Sequence, residues 1–134
     1  MNKKQKKPTK KKYEIVFREI YGKPIDCKIE NAYAHIEATN EEEARRFALE
    51  DMLVQEWTNV ELNWSDDECE IEEGVYELTF AFGMNGKHGE YGGVARVIGC
   101  EFSEANDKAN QTFKKGGMIV PTERPFVSTT ELTD

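Results

Sequence analysis

At 134 residues and 38% hydrophobic content the chain can bury one real core, and no apolar run approaches the roughly 18 residues that a membrane span needs. The formal net charge of −8 is unevenly divided: residues 1 to 12 carry seven lysines and no acid, leaving 11 basic against 26 acidic residues in the rest. A body this acidic is repelled by phosphate and drawn to basic protein grooves, which argues against direct nucleic-acid binding by the body itself.

The lysines of the first segment (Lys3, Lys4, Lys6, Lys7, Lys10, Lys11 and Lys12) repel one another and have almost no apolar neighbours, so residues 1–12 are expected to form a disordered arm. The basic start is followed by Tyr13 to Ile20 rather than a secretory apolar stretch, and the expectation is a cytoplasmic protein, in the host cell cytoplasm if phage-encoded. Tyr13 to Ile20 reads as a strand ended by Tyr21-Gly22-Lys23-Pro24. A second strand is clearest over Ala32 to Ala38, with Tyr33, His35 and Glu37 on one face and Ala34, Ile36 and Ala38 on the other.

Thr39-Asn40-Glu41-Glu42-Glu43 holds two overlapping capping boxes and places carboxylates at the positive end of a helix dipole. The helix they predict runs about four turns to Trp57, with Ala44, Phe47, Ala48 and Met52 in one apolar row and Leu49, Leu53 and Trp57 in the next. Arg46, on the outside, can pair with Glu43 or Glu50. Val60, Leu62 and Trp64, then a turn at Asp66-Asp67, then Cys69 and Ile71, read as a short charged hairpin.

Tyr76, Leu78, Phe80 and Phe82 share one face of the strongest strand in the chain, expected at the centre of the sheet. The five glycines from Gly83 to Gly93 suggest a flexible tip, and Val94 to Phe102 the antiparallel partner strand. Ser103 either caps a short helix through Phe113 that Gly116-Gly117 stops, or opens an irregular stretch. Met118 to Val127, broken by Pro121 and Pro125, suits an edge strand or a strap, and residues 128–134 a mobile tail. The order β-β-α-β-β-β predicts an α+β fold, a mainly antiparallel sheet with one main helix packed on one face, as a single domain over residues 13–127.

No catalytic signature is present. Gly83-Met84-Asn85-Gly86-Lys87-His88-Gly89 has two residues where a phosphate loop needs four between its glycines, and His88 where it needs Ser or Thr. His35 and His88, the only histidines, lack local partner patterns. Cys27, Cys69 and Cys100 lie far apart with no C-x-x-C pair, and the acids around Asp66 lack EF-hand spacing, so no metal and no cofactor is expected. The chain reads as a non-enzyme.

What remains is charge. Glu61, Asp66, Asp67, Glu68, Glu70, Glu72, Glu73 and Glu77 stand together without a basic residue. They form either a solvated face or a phosphate-like array offered to a basic channel, with Asn85, Lys87 and His88 at the glycine-rich tip as further partner contacts.

The run "AHIEATNEEEARRFALEDM" followed by "NWSDDECEIEE" resembles small uncharacterised proteins of phages and other mobile elements over about half the chain. The resemblance implies a mobile-element origin and brings no active-site residues with it. A small acidic protein of this kind looks like an anti-CRISPR or anti-restriction inhibitor. The expected function is therefore a protein-binding inhibitor, a nucleic-acid mimic that occupies the basic nucleic-acid-binding site of a host defence protein such as a CRISPR nuclease. The alternative is a nucleic-acid-binding accessory protein whose lysine arm makes weak, non-specific phosphate contacts.

Overall fold

The computed structural model describes residues 9–22, 27–99, 101–121 and 123–132, with the backbone alone for 65–68. Lys3, Lys4, Lys6, Lys7, Cys100 and the turn residues Lys23 and Pro24 lie outside the described residues, as do the side chains of Asp66, Asp67 and Glu68. The fold is α+β. In chain order it runs β1 (Lys11–Phe17), β2 (Ile20–Gly22), β3 (Cys27–Ala38), α1 (Glu41–Val54), β4 (Thr58–Glu72), β5 (Val75–Asn85), β6 (Gly89–Gly99), α2 (Phe102–Lys114), β7 (Met118–Ile119) and β8 (Phe126–Leu132).

All pairings are antiparallel, and the main path of the sheet is β4-β5-β6-β3-β1-β8, with β2 joining β3 to β7. Alternation buries one face: Tyr13, Ile15 and Phe17 of β1, Ala34 and Ile36 of β3, Leu78, Phe80, Phe82 and Met84 of β5, and Tyr91, Ala95 and Val97 of β6. Both helices cover that face, α1 through Ala44, Ala48 and Met52, and α2 through Ala105, Ala109 and Phe113, whose ring meets Phe82 at 4.5 Å. Among the described residues the opposite face carries no helix.

The start of α1 follows from its sequence. Asn40 accepts from the Glu43 amide at 2.8 Å, and the Glu43 carboxylate returns to the Thr39 amide at 3.0 Å. The helix stops at Val54, one turn short of Trp57, because Gln55 turns left-handed at φ 54° and its amide closes on the Asp51 carbonyl. The Gln55 side chain then donates to the Met118 carbonyl and accepts from the Met118 amide, both at 3.0 Å, standing in for a strand partner of β7. Of the two rows expected to be apolar, Leu53 is exposed, and Asp51 is buried beside Met52 instead.

Several expected boundaries are corrected. Asp66-Asp67 is no turn: β4 runs on past it against β5 with a register shift between Trp64 and Glu68, and the chain reverses at Glu73-Gly74, where Gly74 supplies φ 77° at no steric cost. The acidic segment is thus one edge strand and a turn. β5 lies next to that edge, and β3 and β6 hold the centre.

The second helix exists, although Glu101 rather than Ser103 occupies the cap position and Ser103 bonds the Glu101 carboxylate at 3.1 Å. Residues 128–132 are no tail. They belong to β8, which pairs with β1 from Lys12↔Leu132 to Phe17↔Phe126. Lys11 and Lys12, expected in the arm, instead stand in β1 opposite Ala38 and Glu37, with Lys11 paired to Glu131 at 3.5 Å.

Candidate partner-binding surface

The residues singled out from the sequence fall at two ends of the sheet. Thr58 pairs with Asn85, so Glu61, Asn85, Lys87 and His88 share one end, while Glu70, Glu72 and Glu73 stand at the other with the turn. The ten residues from Glu61 to Glu70 span about 30 Å of extended chain. The acids therefore form a ribbon along the β4 edge rather than a compact patch.

The glycine-rich tip is tied down. Only residues 86–88 lie between β5 and β6, and Asp51, 4% exposed, reaches across from α1 to accept from the Lys87 amide at 3.1 Å, the His88 amide at 2.9 Å and the Tyr91 hydroxyl at 2.7 Å. Burial, reinforced by the Asp51 carboxylate, raises the Tyr91 phenol far above its ordinary pKa. Gly86 has no room for a side chain, because a Cβ there would stand 2.6 Å from the Asp51 carboxylate. His88 stacks on Phe47 at 4.2 Å and bonds Glu50 at 3.0 Å, which holds Glu50 below the usual carboxylate range. The Lys87 side chain is 77% exposed, and its ammonium lies 3.9 Å from the Glu50 carboxylate. A loop so held presents a fixed shape, and the expected flexibility is replaced by a clamp.

Sequence reading did not find Asp51. The signal was there, since a carboxylate at helical spacing with Ala44, Ala48 and Met52 falls on the buried face and must find donors.

Ion pairs are distributed unevenly over the surface. On the helix-free face Lys28 bridges Glu19 and Glu30 at 3.3 and 3.2 Å, and Arg96 bridges Glu30 and Glu77 at 2.9 and 3.5 Å. Arg96 is the main cause of the lowered Glu30 pKa. His35, half-buried, bonds Glu14 at 3.0 Å, Arg46 takes Glu43 rather than Glu50, and Lys108 takes Glu104 at 3.1 Å. Along β4 the pattern changes: Glu61, Glu70, Glu72 and Glu73 are exposed, and none has a basic partner among the described residues. Among the described side chains of the acidic segment, Glu77, on the neighbouring strand β5, is the one that is paired.

Two of the depressions that adjoin the tip contain Glu90. One, about 430 Å³, gathers Lys10, Lys12 and Lys87 with Glu37 and Glu90, and both histidines line it, so its charge is mixed. The other, about 290 Å³, lies on the helix-free face between Tyr33, Glu61 and Glu90. No sequence pattern announced either, because their walls come from segments far apart in the chain. Of the cysteines, Cys27 is buried and its thiol is pushed up to about 11 by burial, while Cys69 is exposed. Among the described residues no three His, Cys, Asp or Glu side chains gather to hold a metal ion, and no helix is long and apolar enough to cross a membrane.

No protein family, no curated protein and no solved structure matches this chain. The surface itself carries the functional reading.

Proposed function

We propose that this chain is a non-enzymatic, protein-binding inhibitor of phage or mobile-element origin that lays its acidic β4 edge against the basic nucleic-acid-binding site of a host defence protein such as a CRISPR nuclease. One observation supports the reading above others: the described carboxylates of β4 and its turn, Glu61, Glu70, Glu72 and Glu73, follow one edge strand with no counter-cation among the described residues. Leaving like charges uncompensated on one strand costs stability, and the cost is offset when a cationic surface covers them.

The strand supplies the geometry. Glu70 and Glu72 stand on the same edge strand on either side of a register shift, and pairing with Tyr76 and Val75 of β5 holds both in the sheet. A linear, pre-ordered array of negative charge loses little entropy on docking and steers a basic partner in quickly, with strong salt dependence. The same charges keep the exposed edge from pairing with another copy, which leaves it free for a partner of opposite sign.

The test is capture from a bacterial lysate by the immobilised chain at ~0.1 M and ~1 M salt, beside a variant with Asp66, Asp67, Glu70 and Glu72 all changed to Lys. The expected result is a nucleic-acid-binding protein held at low salt, released at high salt and absent from the variant. Equal capture by the variant refutes the reading. Gel shifts with duplex DNA test the alternative, and the truncation should remove residues 1–8 only, since Lys11 begins β1. Tight DNA binding that survives this truncation also overturns the mimic.

A further inference from the structure

We infer that the depression above Gly83, walled by Tyr33, Glu61 and Glu90, is a seat for one cationic side chain of the protein partner, an arginine in preference to a lysine. This rests on the acidic-surface reading above and adds the side-chain chemistry the surface selects.

Register builds the seat. Tyr33 pairs with Gly92, Gly92 with Gly83, and Gly83 with Glu61, so a single row crosses β3, β6, β5 and β4 on the helix-free face. The Tyr33 ring fills the space a side chain at Gly92 would take, its Cζ lying 2.8 Å from that Cβ position, so the ring leans across β6 toward β5. The next position has no such cover. A Cβ at Gly83 would meet nothing nearer than the Tyr91 carbonyl oxygen at 3.9 Å. The result is a floor without side chains, closed by Glu61 on the β4 side and by Glu90, which stands opposite His35 and Asn85 in the register.

The walls define the ligand. Tyr33 is 37% exposed and offers a π face, and it makes no hydrogen bond among the described residues. Glu61 and Glu90 are exposed, and neither has a basic partner among the described residues. Two carboxylates repel an anion and leave a neutral apolar group with nothing to replace their hydration. A cation gains from both acids and from the ring. Arginine fits better than lysine because its planar fork can lie flat on the tyrosine while donating sideways to the carboxylates, whereas an ammonium is a strongly hydrated point charge. Glu90 also borders the cleft that holds Lys10, Lys12 and Lys87, so Glu61 supplies the larger share of the attraction.

The experiment is an NMR titration of the full chain with hexa-arginine and with hexa-lysine. The amides of Gly83 and Gly92 and the ring of Tyr33 are expected to shift with hexa-arginine, which binds several-fold more tightly than hexa-lysine. Gly83→Val fills the depression while every charge stays in place, and the open space around that Cβ lets the strand accept it. It should weaken hexa-arginine by about tenfold with an unchanged melting temperature, and Glu61→Gln should do nearly the same. If Gly83→Val binds like the wild type, or if shifts appear only at Glu70 to Glu73, the seat is refuted and the acidic-ribbon reading stands. If neither peptide moves any resonance, both fall.

Discussion

Asp51→Ala removes the acceptor that fastens the β5–β6 tip to α1. The wild-type carboxylate, 4% exposed, takes hydrogen bonds from the Lys87 and His88 amides and from the Tyr91 hydroxyl at 3.1, 2.9 and 2.7 Å. The Lys87 amide regains water readily when the tip loosens, since that residue is exposed; the Tyr91 hydroxyl, on a residue 3% exposed, does not. An orphaned buried donor costs about 1 to 3 kcal/mol and bonds to a charged acceptor lie toward the upper end, so the substitution should cost about 3 to 5 kcal/mol. Against the roughly 5 to 15 kcal/mol that holds a domain of this size together, the midpoint of thermal unfolding should fall by about 10 to 15 °C.

Urea denaturation followed by circular dichroism measures the cost directly. Tyr91→Phe alone, which removes one of the three donors and strands none, should cost about 1 to 2 kcal/mol. In the Asp51→Ala, Tyr91→Phe double variant the two losses should fall short of additive by about 1 kcal/mol, because the second substitution removes a donor that the first had already orphaned. Hydrogen exchange at Lys87 and His88 should accelerate in every variant lacking Asp51. A cost below about 1 kcal/mol for Asp51→Ala would refute the clamp.

Two further predictions follow from the core and the edge. The Cys27 thiol has a folded pKa of about 11 against an ordinary 9.0, so the unfolded chain loses its proton first. Stability should therefore hold below pH 9 and fall as the pH rises toward 11, by about 2 to 3 kcal/mol more in the wild type than in Cys27→Val. Equal alkaline losses in the two chains, measured by urea melts across that range, would contradict this. Truncation after Pro125 removes β8, uncovers β1 and takes away Phe126, which packs on Phe17 at 5.4 Å. Loss of cooperative unfolding or a large drop in melting temperature is expected, and a truncated chain as stable as the full one would mean that β8 contributes nothing.

Local patterns were legible where the physics is local. The α1 cap at Asn40, the two faces of Ala32 to Ala38 and the aromatic face of β5 all follow from hydrogen-bonding reach and a side-chain period of two. The first half of β3 was hidden because Asn31 turns left-handed at φ 54° and shifts the register between Glu30 and Tyr33. Burial passes there from Cys27 and Ile29 to Ala32 and Ala34, odd positions to even, so alternation read along the chain breaks in the middle of the strand. Asp66-Asp67 looked like a turn because acids favour turns. Pairing with β5 instead carried the strand through to Gly74, the glycine that could adopt the required conformation.

By itself, then, the sequence determined the fold class, the acidic body, the helix start and which strands are amphipathic, because composition, capping and periodicity act over a few residues. Only the tertiary structure decided that the acids line one edge, that Asp51 fastens the tip and that Tyr33, Gly83, Glu61 and Glu90 meet around one depression. Each of those facts depends on register between strands, and register is set by the summed packing of the sheet against two helices rather than by any short stretch of chain.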